Sequence, residues 1–291
     1  MTQIICGDCL TVLPTLPENS VDLVVTSPPY NCRKQYGQDD DQKPWPEYYR
    51  WIGLVLDELY RVLLPGGVLA LNVPGVVRWQ AEHRYADTWS DFDPGYKTHR
   101  NGEKVVGKGR IEPIGFILFE MMRQRDSHIR EPIIWVKGSN GNAICSQYRM
   151  GCDSDPYMRP AHEFILLGSK GQWYHRGGTG RRGDIALPFP DDTKDVWFAS
   201  PESSRLHPAV FPVEIPRRLI RLFTHAEDSV VLDPFMGSGT TGLACQELGR
   251  DFIGIEQDEG YCEIARRRIA HAENILRPEP QGKQLTISIS P

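Results

Sequence analysis

Two short stretches hold the residue types that could do chemistry. Thr26–Tyr30 reads Thr-Ser-Pro-Pro-Tyr and follows directly on the apolar run Val21–Val25. Proline removes a backbone donor and cannot continue a central strand, so the run must end in a rigid turn. That turn keeps its carbonyls but lacks two N–H groups. Ser27 offers a hydroxyl acceptor and Pro28 a carbonyl that no ladder uses, while Pro28 and Pro29 offer no donor. Such a turn suits an –NH2 group, which has two donors. Tyr30, read as pointing outward, adds a face on which a flat ring can stack. An exocyclic amine on an aromatic base meets both features, and a base within a duplex would have to be flipped out to reach them.

The second stretch is Val230–Gly242, VVLDPFMGSGTTG, in which Gly237, Gly239 and Gly242 fit Gly-x-Gly-x-x-Gly. Glycines there let the backbone turn sharply and approach a ligand closely. Glu256 ends the next apolar run, 19 positions after Gly237, a spacing that suits a carboxylate for a ribose diol. The C-terminal third therefore reads as a nucleoside-cofactor half-site. A nicotinamide-dependent oxidoreductase would show the same glycines, but it leaves the Pro-Pro-Tyr turn unexplained. It also sits poorly with Asp233-Pro234-Phe235, where a nicotinamide-binding strand usually stays apolar up to the turn.

The elements that must position these residues alternate. Residues 3–6, 21–27, 68–73, 132–137, 163–169, 229–233 and 252–256 read as strands, and residues 45–64, 114–124, 212–226, 240–248 and 260–274 as helices. Pro65-Gly66-Gly67 is read as the stop of the first long helix. Strands alternating with helices predict an α/β fold: a mostly parallel, doubly wound, Rossmann-like sheet with a loop-rich insertion. There are no internal repeats. Residues 1–137 form the catalytic part, with an irregular insertion at about 78–110. Residues 138–200 are read as a loop-rich candidate binding region that includes the core strand 162–169, the place where the resemblance named below implies target recognition. Residues 201–275 form the cofactor-binding part, and 276–291 a C-terminal tail.

Composition excludes other classes. A 291-residue chain with 40% hydrophobic and 24% charged residues is ordinary for a soluble globular protein. No apolar run approaches the roughly 20 residues of a membrane span, and MTQIICGDCL has neither a basic leader nor a long apolar core. Seven scattered cysteines favour a reducing compartment, hence the cytoplasm. Cys6 and Cys9 lack a second ligand pair at similar spacing, so they read as small buried hydrophobes and no metal is expected. The formal net charge of −5 means that any nucleic-acid surface must be local.

Together, DPFMGSGTT and TSPPY resemble the amino-group DNA methyltransferases that use S-adenosyl-L-methionine. With the catalytic motif first and the cofactor motif last, the chain resembles their permuted beta class, over most of its length. GDCLTVLPTLPENSVDLVVTSPPY, HEFILLGSK (162–170) and HPAVFPVEIPRRLI (207–220) are similar to further segments of that family. The resemblance implies catalytic roles for Ser27, Pro28, Pro29 and Tyr30. It implies cofactor contacts from Asp8, Cys9, Thr26, Ser27, Phe211, Asp233, Pro234, Phe235, Gly237, Gly239, Thr240, Thr241 and Glu256, with Asp8 on the adenine edge. Plainer readings stand beside these: Asp8 as a turn cap, Phe235 as core, Thr240 and Thr241 as ordinary first-turn residues, Trp135 and Lys137 as strand packing and surface. Ser27, where adenine-specific members usually carry Asp or Asn, resembles the Ser-Pro-Pro-Tyr type and implies cytosine N4 as target, with adenine N6 as the alternative. An inactive, DNA-binding relative of the same family is a third reading. Double-stranded DNA is the implied partner, and the resemblance admits a cognate restriction endonuclease.

DNA contacts are expected in two basic runs. Residues 97–110 hold five Lys or Arg against one Glu, and 170–182 hold four Lys or Arg interleaved with Trp173 and Tyr174. Lys104, Lys108, Arg110, Arg176, Arg181 and Arg182 are the candidates. Charge runs are usually solvated faces, but these lie in long aperiodic insertions, where binding functions sit.

Overall fold

Strand β2 (Val21–Thr26) is buried along its whole length, as a strand covered on both faces must be. Leu23 and Val25 face one apolar layer and Val24 the other, the period-two alternation of a strand. The computed structural model describes residues 1–32, 35–36, 39–79, 110–125, 127–139, 142–143, 160–173, 190–201 and 211–276. In chain order the remaining elements begin with β1 (Thr2–Cys6), α1 (Cys9–Val12), β3 (Gln35–Tyr36), β4 (Asp39–Asp40), α2 (Trp45–Val62) and β5 (Leu63–Val73). Next come β6 (Val77–Trp79), β7 (Arg110–Glu112), α3 (Ile114–Arg123), β8 (Ser127–Ile129), β9 (Ile133–Ser139), β10 (Asn142–Ala143), β11 (His162–Lys170) and β12 (Val196–Ala199). The chain then returns through α4 (Glu214–Phe223), β13 (Val230–Asp233), α5 (Thr240–Leu248), β14 (Asp251–Glu256) and α6 (Glu259–Leu276).

The main sheet has the order β1-β14-β13-β2-β5-β11-β9-β10, with β12 on β9 and β8 on β11. From β1 to β5 every neighbour is parallel, whereas β11 runs against both β5 and β9. Helices α2 and α3 cover one face through Ile52, Leu56, Leu59 and Leu118. Helices α4, α5 and α6 cover the other through Ile215, Leu219, Ala244 and Ile269. The expected doubly wound sheet is present.

After β13 the chain passes through α5 to β14 on one side. After β2 it passes through α2 to β5 on the other. The neighbouring strands β13 and β2 are therefore a topological switch point, where an open α/β sheet leaves a crevice at its carboxyl ends. Two details depart from the sequence reading. The ladder of β5 to β2 already begins at Leu63 opposite Val21, so Pro65-Gly66-Gly67 lies in an irregular strand rather than in a helix-ending loop. β12, which falls within 138–200, joins the main sheet beside β9. Its alternating exposed Val196 and Phe198 around buried Trp197 hide it in a window of four residues.

Candidate functional site

Four adjacent strand ends open into one cavity. Gly7, Asp8 and Cys9 follow β1, Glu256 and Gln257 close β14, Pro234 and Phe235 follow β13, and Ser27 to Asn31 follow β2. Tyr48 and Trp51 of α2, with Asp41, Lys43 and Tyr261, complete its lining.

The turn after β2 is locked at both ends. The Thr26 hydroxyl donates to Asp233 Oδ1 at 2.7 Å. Beyond the prolines, the Asn31 and Cys32 N–H groups donate to Asp41 at 2.7 and 2.9 Å. The Asn31 side chain exchanges two hydrogen bonds with the Lys43 backbone, both at 2.7 Å. Tyr48 donates its hydroxyl to the Pro29 carbonyl at 2.9 Å. Among the described residues no donor reaches the Pro28 carbonyl, the acceptor that the sequence left over.

Tyr30 corrects an expectation. Read as pointing outward, it is only 9% exposed and packs with the α2–α3 core, though it still lines the cavity. The physical reason is its hydroxyl, which must find partners when the ring is buried. It lies 2.6 Å from Ser27 Oγ and 3.1 Å from Glu163 Oε2, and it accepts from Asn72 Nδ2 at 2.9 Å.

The glycine stretch makes the sharp turn expected of it. Gly239 sits at φ +82° at the N-cap of α5, a left-handed conformation that favours glycine. At Gly242 an added Cβ would lie 2.7 Å from Phe252 Cε1, so glycine is what lets α5 pack this closely. Glu256 receives the N–H of Gly237 at 3.0 Å and that of Asp258 at 2.9 Å. Burial, only partly opposed by these bonds, raises its carboxyl above the ordinary range.

Of the expected site residues, Asp8, Cys9, Ser27, Pro28, Pro29, Tyr30, Pro234, Phe235 and Glu256 meet at the cavity. Asp8 also caps α1, accepting from the Thr11 N–H at 3.2 Å, so both readings of it coexist. Burial pushes the Cys9 thiol up to about 12, which leaves it inert at neutral pH. Thr26, Asp233 and Thr241 form a buried lock behind the cavity, with the Thr241 hydroxyl on Asp233 Oδ2 at 2.6 Å. Burial raises Asp233 to about 6 despite three hydrogen bonds. Gly237, Gly239 and buried Thr240 belong to the turn rather than to the lining. Phe211 packs against the opposite, α4–α6 core layer.

Sequence reasoning missed Trp51, whose ring centroid lies 5.7 Å from that of Phe235, and also Asn72 and Glu163. Trp51 had one signal, a large aromatic off the apolar stripe of α2. Lys137, read as surface, instead pairs with Glu163 at 2.5 Å. Trp135 does pack, its indole N–H on the Ala199 carbonyl at 2.9 Å. In the second basic run, Lys170 donates to Asn19 Oδ1 and to the Arg61 and Leu63 carbonyls, and Trp173 donates to the His128 carbonyl. Lys104, Lys108, Arg176, Arg181 and Arg182 lie outside the described residues, and of Arg110 only the backbone, in β7, is described. Among the described residues no cluster of His, Cys, Asp or Glu could hold a metal, and no helix is long and apolar enough to cross a membrane.

The family described as DNA methylase, of the N6/N4 type, matches residues 21–267. Type II methyltransferase M.XycI of Xanthomonas campestris pv. cyanopsidis is 29% identical over 290 residues, covering 93% of this chain and 89% of that protein. TTHA0409 of Thermus thermophilus, a putative DNA modification methylase solved with S-adenosyl-L-methionine, is 27% identical. It superposes with a TM-score of 0.65 over 94% of each chain. PvuII DNA methyltransferase (cytosine-N4-specific) shares the fold, with a TM-score of 0.66 at 21% identity.

Proposed function

The chain belongs to the DNA methylase family of N4 and N6 amino-methyltransferases, and on that premise we propose that it transfers a methyl group from S-adenosyl-L-methionine to the N4 amine of a flipped cytosine in double-stranded DNA. The observation that carries this reading is the shared crevice. The acceptor-rich turn after β2 and the acidic, aromatic pocket after β13 and β14 line one cavity across the switch point.

The cofactor pocket suits the group by its donors and shapes. Glu256 is a half-buried carboxylate already fixed by two backbone N–H groups, a suitable acceptor for a ribose diol. Phe235 and Trp51 bring two apolar rings to the same cavity, which Asp8 also lines. Bound there, S-adenosyl-L-methionine supplies a methyl already activated by a sulfonium, so the protein's part is alignment.

The amine is a weak nucleophile because its lone pair is delocalised into the ring. The Ser27 hydroxyl and the free Pro28 carbonyl accept its two hydrogens and draw the nitrogen toward a tetrahedral geometry. Neither is a strong base, so the surplus proton leaves after the methyl has arrived. No cysteine is needed as a nucleophile, in keeping with the inert Cys9 thiol. The neutral Ser27, where a carboxylate or amide would favour adenine, supports cytosine. The parts of residues 138–200 outside the sheet strands β9, β11 and β12, and the basic residues of the two runs other than Lys170, are proposed to face the DNA.

The test is to incubate the purified protein with plasmid DNA and labelled cofactor, digest the DNA and identify the nucleoside by mass spectrometry. N4-methylcytosine is the expected product. N6-methyladenine alone would overturn the base assignment and leave the reaction intact, and no methylated nucleoside on any DNA would overturn the activity.

A further inference from the structure

Behind Ser27 a line of polar side chains crosses three strands. Ser27 Oγ and Tyr30 Oη are 2.6 Å apart. Tyr30 Oη is 3.1 Å from Glu163 Oε2 on β11. Glu163 Oε1 receives Lys137 Nζ, from β9, at 2.5 Å. Asn72, near the end of β5, donates its amide to both Tyr30 Oη and Glu163 Oε2, at 2.9 and 2.7 Å. Tyr30, Asn72 and Glu163 are all buried, at 9%, 5% and 8% exposure.

From this geometry we infer that Glu163 is a positioning residue which fixes the direction of the hydrogen-bond chain and so makes the Ser27 hydroxyl an acceptor toward the target amine. The inference rests on the amine-gripping role of Ser27 proposed above and deepens it.

The direction follows from counting protons. An ionised carboxylate only accepts, and a phenol has one proton to give. Glu163 therefore accepts the hydrogen bond that the Tyr30 hydroxyl donates, since a hydrogen bond to a charged acceptor is the stronger choice over the 3.3 Å contact to the Asn72 carbonyl. Tyr30 Oη is then left with lone pairs. One accepts from Asn72 Nδ2 and the other from the Ser27 hydroxyl proton. With its proton turned inward, Ser27 presents lone pairs to the cavity it lines. A serine free to rotate would offer its proton to the incoming amine in part of its population. That orientation puts donor against donor.

Asn72 shows independently that the network is polarised. Its amide nitrogen faces Glu163, and its Oδ1 is buried without a donor among the described residues. A buried acceptor without a partner is costly. Turning the amide would bring its oxygen against the Glu163 carboxylate, so the charge on Glu163 holds Asn72 in place. Lys137 balances that charge from the far side, which keeps an acceptor-only group inside the fold.

The experiment is a single-turnover methyl-transfer rate measured for Glu163→Gln, Ser27→Ala and the double variant. Cofactor and DNA dissociation constants and thermal midpoints are read in parallel. Glu163→Gln preserves shape but removes the charge that sets the direction. Its expected result is a rate lower by about tenfold or more, with both dissociation constants within about twofold of the parent. Because Glu163 acts through Ser27, adding Glu163→Gln to Ser27→Ala should slow the reaction no further. A parental rate in Glu163→Gln, with Ser27→Ala slow, overturns this inference alone. A parental rate in Ser27→Ala overturns the amine-gripping role itself. Fully multiplicative losses in the double variant overturn the path through Ser27. Should Glu163→Gln fail to fold, Tyr30→Phe breaks the same chain at its middle link. It is expected to give the same loss and the same silence in the Ser27→Ala background, and independent losses would overturn the inference.

Discussion

The two halves of the crevice are built in different ways. On the cofactor side, β13, the glycine turn and β14 bring Pro234, Phe235 and Glu256 together from 23 consecutive residues, and the polar groups are fixed mainly by nearby backbone. On the catalytic side, Ser27 comes from the turn after β2 and Asn72, Lys137 and Glu163 from three strands, and they are fixed through one another and Tyr30. A ligand common to many proteins can be held by a contiguous turn whose backbone supplies the geometry. A polarised acceptor for one amine needs several side chains whose protons agree, and only the sheet can assemble them. The two halves should therefore fail separately when altered.

The sharpest test of that separation is Ser27→Ala. Removing one of two grips on the amine should lower the methyl-transfer rate by roughly a hundredfold, the scale of a lost preorganised contact at a reacting group. Cofactor affinity should stay within about twofold, because Ser27 is bonded to Tyr30 and not to the cofactor half. Isothermal titration beside single-turnover kinetics checks both. A parallel loss of cofactor affinity would break the division between the halves.

Glu256→Ala is the converse. It removes a charged acceptor and frees the Gly237 and Asp258 N–H groups. Cofactor binding should weaken by roughly 1.5–3 kcal/mol, the range of a charge-assisted hydrogen bond. Because burial raises the Glu256 carboxyl, affinity in the parent should begin to fall at a higher pH than for an ordinary carboxylate as the solution is acidified. Titration calorimetry across mildly acidic pH reads both effects. An unchanged dissociation constant in the folded variant would remove Glu256 from the site.

Which half was legible in the sequence follows from the same contrast. Gly237, Gly239 and Glu256 declare themselves by spacing, because one strand-turn-helix unit places them. Ser27 to Tyr30 declare themselves because two prolines forbid a continuing strand. Asn72 and Glu163 did not, since their meeting depends on the antiparallel register that sets Phe164 opposite Val73 and Glu163 opposite Trp135. No spacing along the chain encodes that register. Lys137 looked like surface because a lysine at a strand end usually is, and its buried partner lies 26 residues on. The strand order itself was legible only as a class. Alternation of helix and strand predicts a parallel sheet, while the switch point between β13 and β2 emerges from the pairing.

Asp233 sharpens the comparison from the stability side, because it joins the halves: Thr26 from β2 and Thr241 from α5 both bond to it. Its carboxyl is raised from 3.8 to about 6, chiefly by burial. Since the folded value exceeds the unfolded one, its contribution to stability is fully present below about pH 4 and is lost as pH rises through about 6. Asp233→Asn should remove that loss and raise stability at pH 7 by on the order of 2 kcal/mol, taking about 1.4 kcal/mol per pH unit and discounting for a rearranged bond to Thr241. Urea titrations at pH 4 and pH 7 check this. A variant with the same pH dependence as the parent would mean that another buried group carries it.

The smallest effect tests the boundary between scaffold and DNA surface. Lys170 opens the basic run 170–182, yet its ammonium is bonded to Asn19 Oδ1 at 2.8 Å and to the Arg61 and Leu63 carbonyls at 2.9 Å each. Those carbonyls lie at the C-terminal end of α2, where the helix dipole favours a cation. Lys170→Met should therefore lower stability by about 1 kcal/mol, the scale of a lost hydrogen bond. It should leave DNA affinity and its salt dependence unchanged. Neutralising Arg181 and Arg182, which lie outside the described residues, should instead flatten the dependence of log affinity on log salt by about one per lost phosphate contact. Binding measured at several salt concentrations separates the two variants. A flattened slope for Lys170→Met would move this lysine from the α2 cap to the DNA surface, and parental slopes for the arginine pair would make that run a solvated face.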